Sequence, residues 1–345
     1  MPQHARRLTV GGLTTGLLLV IAVIGGCSSN PIDLAPPTIE PARPAASPPT
    51  SSAPAGQVLP MAGRPEAAIT DGATGSLVVL TAGPEAGSPA TLVLVDGSGT
   101  PRTLRLPGPA TAVTGDGRGT VYAATRGGIF TVELAGGRID RATIDGADGT
   151  DFTAIARRAD GRLVLGSADG VAYTLAADRR VAEKADIFAR VDAIATQGDY
   201  AVVLDRAQTS VTALNPDGSA GLALRAGLGA TTMTADPAGR ILVTDTRGGQ
   251  LLVFGVDPLI ERQAYPVGGS PYGVAGSSGL VWVSQTATNT VVGYDLATGI
   301  PVEKVRYPTV RQPVSLAFDE ASGTLYVVSG SGAGVQVIRD AGTGR

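Results

Sequence analysis

Tyr272-Gly-Val-Ala-Gly-Ser-Ser-Gly-Leu-Val-Trp-Val-Ser-Gln-Thr-Ala-Thr-Asn-Thr-Val-Val-Gly-Tyr-Asp-Leu-Ala-Thr-Gly is the stretch whose reading decides the fold. A segment of small residues leads through Ser277-Ser-Gly into Leu280-Val-Trp-Val, which is apolar at every position. A strand with one wet face would alternate, so this one is buried on both faces. A polar turn around Asn289 follows, then a third strand, Thr290-Val-Val-Gly-Tyr.

The same unit recurs along the chain. Its small-residue segments are Ala68-Ile-Thr-Asp, Ala112-Val-Thr-Gly, Ala154-Ile-Ala-Arg, Ala193-Ile-Ala-Thr, Met233-Thr-Ala-Asp, Val274-Ala-Gly and Leu316-Ala-Phe-Asp. They return about every 40 residues, the spacing of propeller blades. The apolar runs behind them include Leu77-Val-Val-Leu, Leu163-Val-Leu, Ala201-Val-Val-Leu, Ile241-Leu-Val and Leu325-Tyr-Val-Val. Most units add a more polar fourth strand, such as Arg102-Thr-Leu-Arg-Leu or Val302-Glu-Lys-Val-Arg, suited to an exposed edge. The pattern predicts an all-β, seven-bladed propeller of four-stranded blades over residues 57–345. Too little chain follows the seventh inner strand to complete a blade, so residues 57–61 are expected to supply the missing outer strand and close the ring.

Ahead of the repeats, Arg6-Arg7, the apolar run Leu13 to Ile24 and the small residues Gly25-Gly26 before Cys27 have the order of a secretory signal. Residues 1–26 are read as signal peptide, with cleavage between Gly26 and Cys27. Residues 27–56, rich in Pro, Ala and Ser, are read as a lipidated cysteine followed by a disordered tether.

Several of these segments resemble known families. Ile24-Gly-Gly-Cys27 resembles a bacterial lipobox, which implies a diacylglyceryl and palmitoyl anchor on Cys27 and a place on the extracytoplasmic face of the cell membrane. The unit from Tyr272 to Gly299 resembles the YVTN propeller repeat, and Ile241-Leu-Val-Thr-Asp-Thr-Arg-Gly-Gly-Gln-Leu-Leu-Val-Phe resembles the NHL repeat. The whole layout is similar to the LppL-like propeller lipoproteins of mycobacteria and related actinobacteria, a resemblance that implies no particular activity.

Composition narrows the chemistry. The 345 residues carry 27 Lys+Arg and 30 Asp+Glu, a net charge of −3, and a cut before Cys27 removes two arginines and no acid, giving −5. No basic stripe is visible, so nucleic acid is not an expected partner. The only histidine is His4 and the only cysteine is Cys27. After processing, no Ser-His-Asp or Cys-His site and no histidine-bound zinc can be assembled. Propeller enzymes resembling this repeat, the streptogramin lyases and the YVTN-like phosphogluconolactonases, use histidine.

In a propeller, the turns between second and third strands gather with the inter-blade connections at one face. There the chain offers Asp205, Arg206, Asp245, Arg247, Gln285 and Asn289 as candidate ligand-binding residues. Arg126, Asp151, Asp169, Asp192, Tyr272 and Arg311 lie in equivalent places. The arginines could hold a carboxylate or phosphate, although Asp and Asn in such turns also serve as caps. Asp145-Gly-Ala-Asp-Gly-Thr-Asp151 lacks the spacing and closing Glu of an EF-hand loop and reads as a connection between blades.

The expected function is a non-enzymatic envelope scaffold, membrane-tethered through its lipid, that binds a protein partner or a small polar ligand and needs no cofactor. The alternative is a calcium-type lactonase or hydrolase built on Asp205, Asp245 and Asn289.

Overall fold

Strand pairing in the computed structural model, which describes residues 37–96 and 100–343, follows the repeat. The expected signal segment and Cys27 lie outside the described residues. Seven four-stranded antiparallel sheets are formed by strands β1 to β28. Six of them, holding β2 to β25, are consecutive meanders over residues 64–105, 112–143, 152–186, 193–225, 230–266 and 271–308. The seventh contains β26 (Pro313–Asp319), β27 (Thr324–Ser329) and β28 (Val335–Ile338) and takes β1 (Gln57–Leu59) as its outermost strand. Gln57 pairs with Val337 and Leu59 with Val335, so the last blade is closed from the N-terminal side as the count of strands required.

The core consists of seven apolar clusters, and each lies between two neighbouring blades. Two-residue periodicity in the second strands explains this. Leu77 and Val79 face blade 7, whereas Val78 and Leu80 face blade 2. Likewise Ala201 and Val203 pack toward blade 3, and Val202 and Leu204 toward blade 5. A strand sandwiched in this way must be apolar at every position, which is the pattern seen in the sequence. Outer strands such as Arg102–Arg105 and Ala220–Arg225 are mostly exposed.

Trp282 is fully buried between blades 6 and 7, stacked near Tyr307 and Phe318 with ring centroids 6.2 and 6.0 Å away. The loop over residues 144–151 joins blades 2 and 3.

Residues 37–56 depart from the expectation of a disordered tether. They lie against the propeller, with Ile39 N–H donating to Ala207 O and Ala55 N–H to Pro308 O. The physical reason is a set of hydrogen bonds to backbone groups, which leaves no trace in hydrophobic patterning.

Candidate functional site

The inner strands line a central cavity of about 480 Å³. Equivalent positions form rings in it. One ring is Ile69, Val113, Ile155, Ile194, Met233, Val274 and Leu316, and an adjacent one includes Thr111, Thr153, Asp192, Thr231 and Tyr272. Several inner-strand hydroxyls are drawn to the carbonyls of the next blade, whereas Thr231 bonds within its own blade, to Thr244 O at 3.2 Å. Thr111 Oγ1 donates to Phe152 O at 2.5 Å, Thr153 Oγ1 to Val191 O, and Thr232 Oγ1 to Tyr272 O. These bonds stitch blade to blade, and the wall they leave mixes aliphatic side chains with polar groups.

Ionisable groups on that wall are Glu66, Asp192 and Arg206, together with the phenol of Tyr272. Glu66 pairs with Arg64 at 2.9 Å. Asp192 Oδ1 lies 3.1 Å from Arg190 Nε, and its Oδ2 accepts the Arg206 N–H at 2.8 Å. Burial pushes the Asp192 carboxyl above the usual carboxylate range, despite the Arg206 N–H and the two guanidinium groups beside it.

The sequence-predicted face separates into two kinds of residue. Asp205 and Asp245 are fully buried and turn back into their own loops. Asp205 Oδ2 accepts the amides of Ala189 and Arg190 at 2.7 and 3.1 Å, and its Oδ1 accepts Gln208 N–H at 2.9 Å. Asp245 repeats the arrangement one blade on, accepting Leu228, Gly229 and Gly248 N–H at 2.8, 2.9 and 2.8 Å. Both are turn caps of the kind Asp makes with nearby backbone. A Cβ at Gly227 or Gly248 would stand 2.0 Å from Asp245 Oδ2, so glycine at both positions makes room for the carboxylate. Gln285 Oε1 accepts from Thr290 and from Arg306 at 2.9 and 2.8 Å. Arg126 reaches Gly149 O and lies 3.6 Å from Asp151, and Asp169 is exposed.

Arg206, Arg247, Asn289 and Arg311 converge on something the sequence did not suggest, the chain's own segment 37–49. Arg247 Nη2 donates to Glu40 O at 2.6 Å and Arg206 Nη2 to Ala42 O at 2.6 Å. Gln312 Nε2 donates to Ala45 O at 3.0 Å, Arg311 Nη2 to Ser47 O at 3.2 Å and Asn289 Nδ2 to Pro48 O at 2.8 Å. In return Ile39 N–H donates to Ala207 O, Ala45 N–H to Ser270 Oγ and Ser47 N–H to Gln312 Oε1. The segment thus crosses blades 4 to 7 as a strap. Asn289 sits at φ 51°, the left-handed region that asparagine tolerates. Ser270 and Gln312, missed in the sequence, lie in the inter-blade connections beside Tyr272 and Arg311, which sequence reasoning had already placed on this face.

A calcium site on Asp205, Asp245 and Asn289 does not fit this geometry. The two carboxylates are each bound to three backbone amides, and Asn289 is turned to the strap. Among the described residues no group of three or more His, Cys, Asp or Glu could hold a metal ion.

No protein-family model matches the chain, and no curated protein sequence matches it significantly. Solved structures do. A streptogramin B lyase superposes with a TM-score of 0.67 at 12% identity, covering 81% of this chain and 96% of that one. A catalytically inactive histidine-to-alanine variant of virginiamycin B lyase from Staphylococcus aureus, with quinupristin, gives 0.64 at 13%, covering 81% and 97%. A chain of the mitotic checkpoint complex gives 0.67 at 11%, covering 89% and 99%. This is a seven-bladed β-propeller. Identities this low show the fold alone, and that fold serves enzymes and members of protein assemblies alike.

Proposed function

We propose that this propeller is a binding platform for a protein partner, held at the extracytoplasmic face of the cell membrane by a lipid on Cys27. The observation that carries the reading is the strap face itself. Arg206, Arg247, Asn289, Arg311 and Gln312 all direct donors at the backbone carbonyls of an extended peptide. A surface so arranged recognises polypeptide, and nothing in it is set up to break a bond.

The enzyme reading draws less support. The lyase neighbour is inactive once a histidine is replaced, whereas the single histidine here is His4, ahead of the expected cleavage point. The carboxylates offered for a metal-assisted lactonase are engaged as turn caps, as described above.

The test is cross-linking of the full chain in its native envelope, followed by affinity purification beside Cys27→Ala and Arg247→Ala/Asn289→Ala forms. The expected result is a reproducible protein partner recovered with the parent chain and reduced with the double variant. Cys27→Ala should move the protein to the soluble fraction. Recovery of the propeller alone, together with calcium-dependent hydrolysis of lactones, would replace the platform with the lactonase.

A further inference from the structure

Proline lacks an N–H, so a segment with prolines at 41, 44, 48 and 49 presents mainly carbonyls. The face beneath it presents mainly donors, and five of the strap's carbonyls are taken by side chains from blades 4 to 7 and their connections. Recognition is therefore of backbone. Only two strap side chains are buried, Ala42 at 6% and Ser47 at 7% exposure. Ala42 sits over Gly229, where a Cβ would come within 3.0 Å of the alanine methyl. Ser47 Oγ donates to Thr286 O at 2.6 Å and accepts Gln312 N–H at 2.9 Å. Pro41, Arg43, Ala46, Pro48 and Pro49 face outward. The groove thus asks for a small residue at two places five apart, prolines around them, and little else.

What holds the strap is correspondingly slight. No apolar cluster includes any residue of 37–49, whereas every blade interface is such a cluster. Segments with few buried apolar contacts open locally, without unfolding the body they lie on.

We infer that this groove is the docking site for a proline- and alanine-rich extended segment of a partner protein, and that residues 37–49 occupy it in cis as a displaceable pseudo-ligand. The inference rests on the platform reading and names the partner's chemistry. Tethering gives the cis segment an effective concentration in the millimolar range, so a partner gains access when it is itself concentrated at the membrane or when the strap is drawn away. Prolines pre-order both competitors in an extended form, which lowers the entropy lost on docking.

The experiment uses the full chain with Ala42→Arg and Ser47→Arg, which close the two small slots to the cis strap. The probe is a fluorescent peptide with the sequence of residues 37–50, followed by anisotropy. The A42R/S47R chain is expected to bind the peptide saturably, and the parent at least about tenfold more weakly because its groove is filled. Adding Asn289→Ala and Gln312→Ala should remove the binding. A folded A42R/S47R chain that ignores the peptide overturns the inference. Hydrogen exchange on the parent is the second measurement, since it needs no variant. The amides of Ile39, Ala45 and Ser47 should exchange well before those of Leu165 and Val243, and equal protection overturns the idea of a displaceable strap. Concentration-dependent dimers of the parent would also overturn it, in favour of strap exchange between copies. The peptide assay reads the groove alone, and envelope cross-linking reads the platform. A partner retained at full strength by the Asn289→Ala/Gln312→Ala chain would leave the platform standing and remove the groove as its site.

Discussion

The interfaces between blades and the face under the strap are built from opposite materials. Between blades, side chains such as Val78, Leu80, Val121 and Phe130 exclude water, the strand ladders run within each sheet, and only scattered hydroxyls such as those of Thr111 and Thr153 reach carbonyls across the seam. Under the strap, apolar burial stops at Ala42, and guanidinium and amide groups reach across to a second stretch of backbone. Hydrophobic burial contributes about 25 cal/mol per Å², summed over many large side chains. A hydrogen bond exchanged with water contributes about 0.5–1.5 kcal/mol net. One region therefore sets whether the molecule is folded, and the other can open while it remains so.

Trp282→Ala should break that contrast most severely. It leaves a large cavity between blades 6 and 7 and removes the stacking on Tyr307 and Phe318. A cost of about 3–5 kcal/mol is expected, as for other buried aromatic truncations. Urea unfolding followed by circular dichroism would read it. A loss below about 1 kcal/mol would mean that the blades collapse to fill the gap and that their interfaces are looser than the packing indicates.

Asp245→Ala comes next and couples the two regions. Its carboxylate gathers three amides, from Leu228, Gly229 and Gly248, and Gly229 is the floor on which Ala42 rests. Unsatisfied buried amides cost about 1–3 kcal/mol each, and partial hydration of the loop brings the expected total to about 2–4 kcal/mol. The Ala45 and Ser47 amides should exchange faster in this variant than in Asp205→Ala, whose loop belongs to blade 4. Equal strap protection in the two variants would sharpen the comparison differently, by showing that the strap's seat does not depend on the loop below Ala42.

The parts of the molecule that rest on periodicity were legible in the sequence. Runs such as Leu77-Val-Val-Leu and Leu325-Tyr-Val-Val announced two-sided burial, and the shortage of chain after the seventh inner strand pointed to 57–61 as the closing strand. Trp282 was readable as core because its neighbours are apolar on both sides. The strap was not legible, since a proline-rich segment held by its carbonyls has the composition of a free linker. Asp205 and Asp245 occupy ligand-like places at strand ends, yet each is consumed by its own loop. The signal available was glycine, with Gly227 and Gly248 both crowded against the Asp245 carboxylate.

Asp192→Asn is the smallest expected effect and tests a carboxylate on the cavity wall beside the strap-holding Arg206. It borders the cavity, pairs with Arg190 and accepts the Arg206 amide, and Arg206 in turn holds the strap at Ala42 O. Burial raises its pKa even though Arg206 and Arg190 draw it down, with Asp205 adding to the rise. The folded chain therefore holds this proton more tightly than the unfolded chain does. From about pH 4, the ordinary Asp value, up through the raised value, folding takes up a proton at this site, and its contribution to stability falls as pH rises. Asp192→Asn removes that dependence, so relative to the parent the variant should gain stability as pH rises from about 4 through the raised value. Urea midpoints at the two ends of that window would measure it. The opposite slope would mean that the two arginines outweigh burial, and that Asp192 and Arg206 act as a charged clasp fixing the strap to the channel rim.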